Sequence, residues 1–149
     1  MGNRCFVPLQ GGEINTISPA NPAAGANWSY TFPASYEQEI RTIECKLTAA
    51  VAVANRRARF QVLEPGGAVI VDLLFTAYTT TGEVSVFSLF VGCSRPDYSL
   101  IIAVGNHVYN DALPTMRIVP GCTVQSLFTA LNAADQFSDI KIMSHMWRV

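Results

Sequence analysis

Between Ile43 and Val53 the chain alternates with a period of two: Ile43, Cys45, Leu47, Ala49, Val51 and Val53 fall on one face, and Glu44, Lys46 and Thr48 on the other. Successive side chains of an extended backbone point to opposite sides, so this row can be buried as one face of a β-strand and not as a helix stripe. A single half-covered strand is therefore expected through Val53. The same alternation in Ala58–Val62, Tyr98–Val104 and Asp139–Ile142, with turn residues between the runs, extends the expectation to the whole chain.

The segments between these runs supply the punctuation. Asn55-Arg56-Arg57 is a polar break, and Glu64-Pro65-Gly66-Gly67 predicts a type II turn, with proline presetting the first φ and Gly66 accepting the positive second one. Ala68–Thr76 is almost continuously apolar (Val69, Ile70, Val71, Leu73, Leu74, Phe75), as expected where one face meets the core and the other a partner. In Val84–Val91 the apolar phase changes, which predicts a bulge or two covered faces. Gly105 to Asp111 reads as a loop carrying His107, and Leu113–Val119 as a strand with Pro114 at its edge. Val124–Asn132 fits either a strand or a short helix, and Phe137–Trp147 a final strand. About eight strands with regular turn signals predict an antiparallel β-sandwich, a jelly roll or related Greek key.

Residues 1–36 differ from the rest. Glycines and prolines punctuate a stretch with few charges, which reads as an extended N-terminal arm with edge strands, leaving 37–149 as a single sandwich domain. Cys5-Phe6-Val7 and Asn27–Phe32 each suit a short strand. Trp28, Tyr30 and Phe32 share one face, either as an aromatic edge strand or as an arm that clasps a neighbouring subunit.

Charged residues make up 14% of the 149, against about 25% in ordinary domains. A monomer needs charge over most of its exterior, so scarce charge implies that other subunits cover part of it, and an oligomer is expected. The net charge is −1, and Lys and Arg are scattered apart from Arg56, Arg57 and Arg59, which argues against nucleic-acid binding. No apolar run approaches the ~20 residues of a membrane span, and the N-terminus has no secretory signal pattern, so a soluble chain made in the cytosol is expected.

Chemistry leaves little trace. Cys5, Cys45, Cys93 and Cys122 are far apart, with no CxxC pair, so neither a metal nor a cofactor is expected. His107 and His145 have no nucleophile motif around them. Glu37 and Glu39 stand two residues apart on one strand face, a spacing that glycosidases use and that solvated strands also show. Phosphate-binding glycine motifs are missing, and the chain reads as a non-enzyme. The Arg56, Arg57 and Arg59 cluster suits a solvated turn or bidentate pairing with acidic groups of another subunit.

The run Ile43–Ala49 through Val53-Ala54-Asn55-Arg56-Arg57, then Phe60-Gln61-Val62 and a glycine turn, resembles small structural proteins of tailed bacteriophages. Pro120-Gly121 and Asn132-Ala133-Ala134-Asp135-Gln136-Phe137-Ser138 resemble the same group, so that the likeness spans about residues 40–64 and 118–149. It implies a virion protein, a capsid cement or decoration protein that sits on the outer head surface as a homotrimer. Such a protein braces the major capsid protein by binding alone. With that role the candidate contacts are Trp28, Tyr30, Phe32, Arg56, Arg57 and Arg59, because aromatics and arginines dominate interfaces. The alternative is a tail, fibre or carbohydrate-binding component of the virion, for which the segment Tyr109-Asn110-Asp111 is the candidate platform.

Overall fold

The alternating stretch forms the middle of a large sheet. A computed structural model describes residues 13–92, 99–103 and 106–148, and among these it contains strands and no helix. The larger sheet runs in the order β1 (Glu13–Ile17), β11 (Gln136–Arg148), β3 (Tyr36–Thr48), β6 (Val84–Val91), β8 (Asn106–Leu113), β7 (Ser99–Ala103), with β9 (Arg117–Ile118) beside β3. The smaller sheet runs β2 (Ser29–Thr31), β10 (Thr123–Ser126), β4 (Arg56–Leu63), β5 (Val69–Thr79). The two sheets face each other across one core, which makes the chain a β-sandwich.

Period-two burial builds that core. Ile40, Ile43, Cys45 and Leu47 of β3, Ile140 and Ile142 of β11, and Phe87 and Leu89 of β6 point inward from the larger sheet. Ala58, Phe60 and Val62 of β4 and Val124 of β10 meet them from the smaller one. Phe60 is the hub of an aromatic cluster: Phe75, Phe87, Phe128 and Trp28 all have ring centroids within 6.2 Å of its own. Offset and edge-on rings of this kind add to the area they bury.

Several expectations change. The strand predicted through Val53 ends at Thr48, because Arg56 draws the carbonyls of Ala50, Ala52 and Ala54 toward itself. The loop expected up to Asp111 is not one from Asn106 onward: Asn106–Leu113 is a strand that pairs with β6 in parallel, so cross-strand pairing overrides the weak strand preference of Asn and Asp, and the sandwich is not purely antiparallel. In the turn at Pro65 it is Gly67, at φ 85°, that takes the left-handed conformation, while Gly67 N–H bonds Glu64 O at 2.8 Å. That is a type I turn followed by a left-handed glycine rather than type II. Leu113–Val119 divides between the end of β8 and the short β9. Of the ambiguous Val124–Asn132, Val124–Ser126 belongs to the strand Thr123–Ser126, and the rest is neither strand nor helix, with Thr129 in an isolated bridge to Arg57.

Of the N-terminal arm, residues 1–12, including the Cys5-Phe6-Val7 strand, lie outside the described residues, as do Cys93, Tyr98 and Val104. The remainder adds one edge strand to each sheet. The connecting segment is held at Gly25, whose N–H bonds Asp135 O at 2.7 Å and whose φ is 74°.

Candidate functional site

The chain leaves the larger sheet after Thr48 because Arg56, the first residue of β4, captures the backbone that precedes it. Its guanidinium is fully buried. Nη1 donates to Ala54 O at 2.9 Å, and Nη2 to Ala52 O at 3.1 Å and Ala50 O at 3.4 Å. Nε and Nη2 meet the two carboxylate oxygens of Asp135 at 2.8 and 2.9 Å. The same carboxylate accepts the N–H of Ala50 and of Asn132, each at 2.7 Å. A buried ion pair survives desolvation only with its remaining donors and acceptors satisfied, and here the loop backbone provides them. Burial raises the Asp135 carboxyl, but the Arg56 N–H groups and those two backbone amides outweigh it and hold it below the usual carboxylate range.

Turning the carbonyls of alternate residues 50, 52 and 54 inward sends the intervening side chains out. Val51 is 84% exposed and Val53 95% exposed. Gly82 N–H to Ala50 O at 3.1 Å and the Thr81 hydroxyl to Ala52 O at 3.4 Å fasten the loop from its other side. Two valines are thereby presented to solvent on a backbone that is already fixed.

A second apolar surface lies on β5, at the edge of the smaller sheet. Val69, Ile70 and Leu74 are 51%, 47% and 38% exposed. Between Ile70 and Leu74, Asp72 faces the same side and is paired with Arg59 of β4, whose Nε donates to Asp72 Oδ1 at 2.7 Å. The Arg59 hydrogen bonds lower the Asp72 carboxyl and raise the Arg59 guanidinium.

The six contact residues expected from sequence do not form one surface. Trp28 and Phe32 are buried in the core, Trp28 against Phe60 and Phe32 edge-on to a half-buried Tyr30 at 5.2 Å. Arg56 is enclosed, Arg57 donates to Phe75 O at 2.9 Å, and Arg59 stands outside on Asp72. What sequence reasoning missed is Asp135 and the exposure of Val51 and Val53. Arg56 and Asp135 are 79 positions apart, and a single Asp in a polar loop carries no local sign of its partner.

His107 Nε2 lies 3.2 Å from Glu83 Oε1 and its ring stacks on Tyr109, while the buried Ser85 hydroxyl accepts from Thr79 at 2.8 Å. Burial raises Glu83, but the Thr80 amide and hydroxyl and the charge of His107 bring it below its ordinary value. Glu37 pairs with Arg117 and Glu39 with Arg41. Tyr109 and Asp111, read from sequence as an exposed platform, are both buried in β8. Among the described residues no three His, Cys, Asp or Glu side chains gather as metal ligands. A shallow depression of about 230 Å³ on the outer face of the larger sheet, lined by Thr16, Thr42, Glu44, Phe90, Lys141 and Met143, is smaller than the ~300–1,000 Å³ of typical ligand pockets.

Fold and site together define a two-sheet β-sandwich that presents apolar contact surface around a caged loop. No family model matches the sequence, and neither does any curated protein. Among solved structures it is similar to a chain of infectious bursal disease virus, Gt strain, with 12% identity over 91% of this chain and 30% of that one, and a TM-score of 0.31. A chain of the Gx strain gives 7% identity, 91% and 40% coverage, and a TM-score of 0.30. This chain thus spans well under half the length of either. Likeness at that level does not amount to a shared fold, and the functional reading rests on the chain's own residues.

Proposed function

We propose that this chain is a structural protein of a virus particle: a cement or decoration protein of a tailed phage that binds the outer head surface as a homotrimer and stabilises the major capsid lattice without catalysis. The observation that carries the reading is the caged loop. A buried ion pair and five surrounding backbone hydrogen bonds hold two valines almost fully in water. Exposing apolar side chains is unfavourable by itself, and burying each against a partner recovers roughly 1.5–3 kcal/mol. A loop fixed before contact loses little conformational entropy on docking, so more of that gain appears as affinity. Scarce surface charge fits the same role, and the buried arginine and aromatics act by positioning the loop and the edges that make contact.

The mechanism is mass action: a protein that binds only the assembled lattice stabilises it by the free energy of its contacts. The test is co-sedimentation with empty phage heads. The native chain is expected to pellet with heads and to raise their resistance to heat, and V51D/V53D is expected to lose both effects while keeping its own melting temperature. Heads that ignore the native chain overturn the reading.

A further inference from the structure

The ends of the smaller sheet are not alike. At one end, β2 has three residues. β5 has eleven, in the sequence Val-Ile-Val-Asp-Leu-Leu-Phe-Thr-Ala-Tyr-Thr, and among the described residues it pairs with β4 alone, in a register that shifts opposite Arg57–Arg59 and opposite Val62–Leu63 and is regular from Val71 to Leu74. Natural sheets protect long edges with lysine, proline, bulges, inward-pointing charge or brevity, because a free row of N–H and C=O groups templates another strand, and in β5 the stretch between its two irregularities, Val71–Leu74, is the part left regular. β5 contains no lysine and no proline, and its one charged side chain, Asp72, points outward beside two exposed aliphatics.

We propose that β5 is a self-association edge, which pairs antiparallel across a two-fold axis with β5 of a second copy and joins the two smaller sheets into one. The complement of a bare strand edge is a strand, and a two-fold contact lets one surface serve both partners. Side chains choose the register. Antiparallel partners that lie opposite each other share a face, so the axis at Asp72 sets Ile70 against the second copy's Leu74, and Leu74 against the second copy's Ile70. Both apolar exposures are then covered by each other. The two Asp72 carboxylates that meet at the axis each bring their own Arg59, so the contact contains two negative and two positive groups and is neutral. This contact is separate from any three-fold one, since a two-fold pair cannot close a trimer, and it stands whether or not the chain binds heads.

The experiment is solution mass by light scattering, run on the native chain and on I70K/L74K. The native mass is expected to be an even multiple of 16.2 kDa, and the double lysine variant, which changes two solvent-facing positions and sets like charges across the axis, is expected to halve it with an unchanged circular dichroism spectrum. A native monomer or trimer, or a variant of unaltered mass, overturns the proposal while leaving head binding to its own test. If the variant does not fold, hydrogen exchange of the native chain decides. Alternate β5 amides protected at high concentration and exposed on dilution support the pairing, and protection independent of concentration overturns it.

Discussion

The Arg56 guanidinium and the Asp135 carboxylate meet at 2.8 Å, with neither side chain exposed, across 79 positions of sequence. This contact ties the start of β4 to the loop before β11, and through Ala50, Ala52 and Ala54 it shapes the segment that carries Val51 and Val53. Stability and the candidate contact surface are therefore coupled through one ion pair.

Removing either partner leaves a buried charge without its counter-ion. Arg56→Met or Asp135→Asn is expected to destabilise the chain by about 3–5 kcal/mol, read as the urea midpoint. Losses in the double variant that fall well short of the sum of the two singles would confirm direct coupling.

Acid should act through the same pair. The Asp135 carboxyl is held below its ordinary value, about 3.9 in an unfolded chain, so its contribution is fully present above that pH and is lost as pH falls through the lower folded value. Urea midpoints measured from pH 6 to pH 2 should drop steeply at the acid end for the native chain. In D135N the curve should start lower and lose part of that slope.

Gly25 and Gly67 both have positive φ, at 74° and 85°, but differ in surroundings. A Cβ on Gly25 would lie 2.8 Å from Ala133 Cα and 3.0 Å from Asn132 O, whereas one on Gly67 would meet nothing within 4 Å. Gly67→Ala should therefore lose only the conformational preference, about 1–2 kcal/mol. Gly25→Ala should lose more, because it also pushes the Asn132–Asp135 loop away from Arg56. Thermal melts of the two variants side by side would show the difference.

Burial pushes the Cys45 thiol up to about 12, against a smaller opposing effect of the Trp28 indole N–H. A thiol so placed has almost no thiolate at pH 8. In a C5S/C93S background Cys45 should stay unreactive toward a disulfide reagent in buffer and react at the rate of unfolding in urea. Cys122, also buried and raised, should follow it.

Much of the fold was legible because it is local and periodic. The inward row of Ile43, Cys45 and Leu47, the strand Ala58–Val62 and the final strand from Phe137 each state their faces in their own residues, and a period of two admits one burial. The apolar run of β5 announced two apolar faces, and the structure gives it one core face and one exposed edge.

What sequence by itself determined was therefore the class: an all-β chain with apolar surface beyond what its core uses. Tertiary structure alone decided the rest. The alternation through Val51 and Val53 fits a continuing strand, and only the distant Asp135, by bringing Arg56 into the interior, turned the carbonyls at Ala50, Ala52 and Ala54 inward and the valines out. The polar residues from Asn106 to Asp111 became strand because β6 lay alongside them. Trp28 and Phe32 went inside because the smaller sheet placed their face over the core. In each case the deciding partner lies far along the chain, and local preference, worth ~1 kcal/mol or less per residue, yields to such contacts.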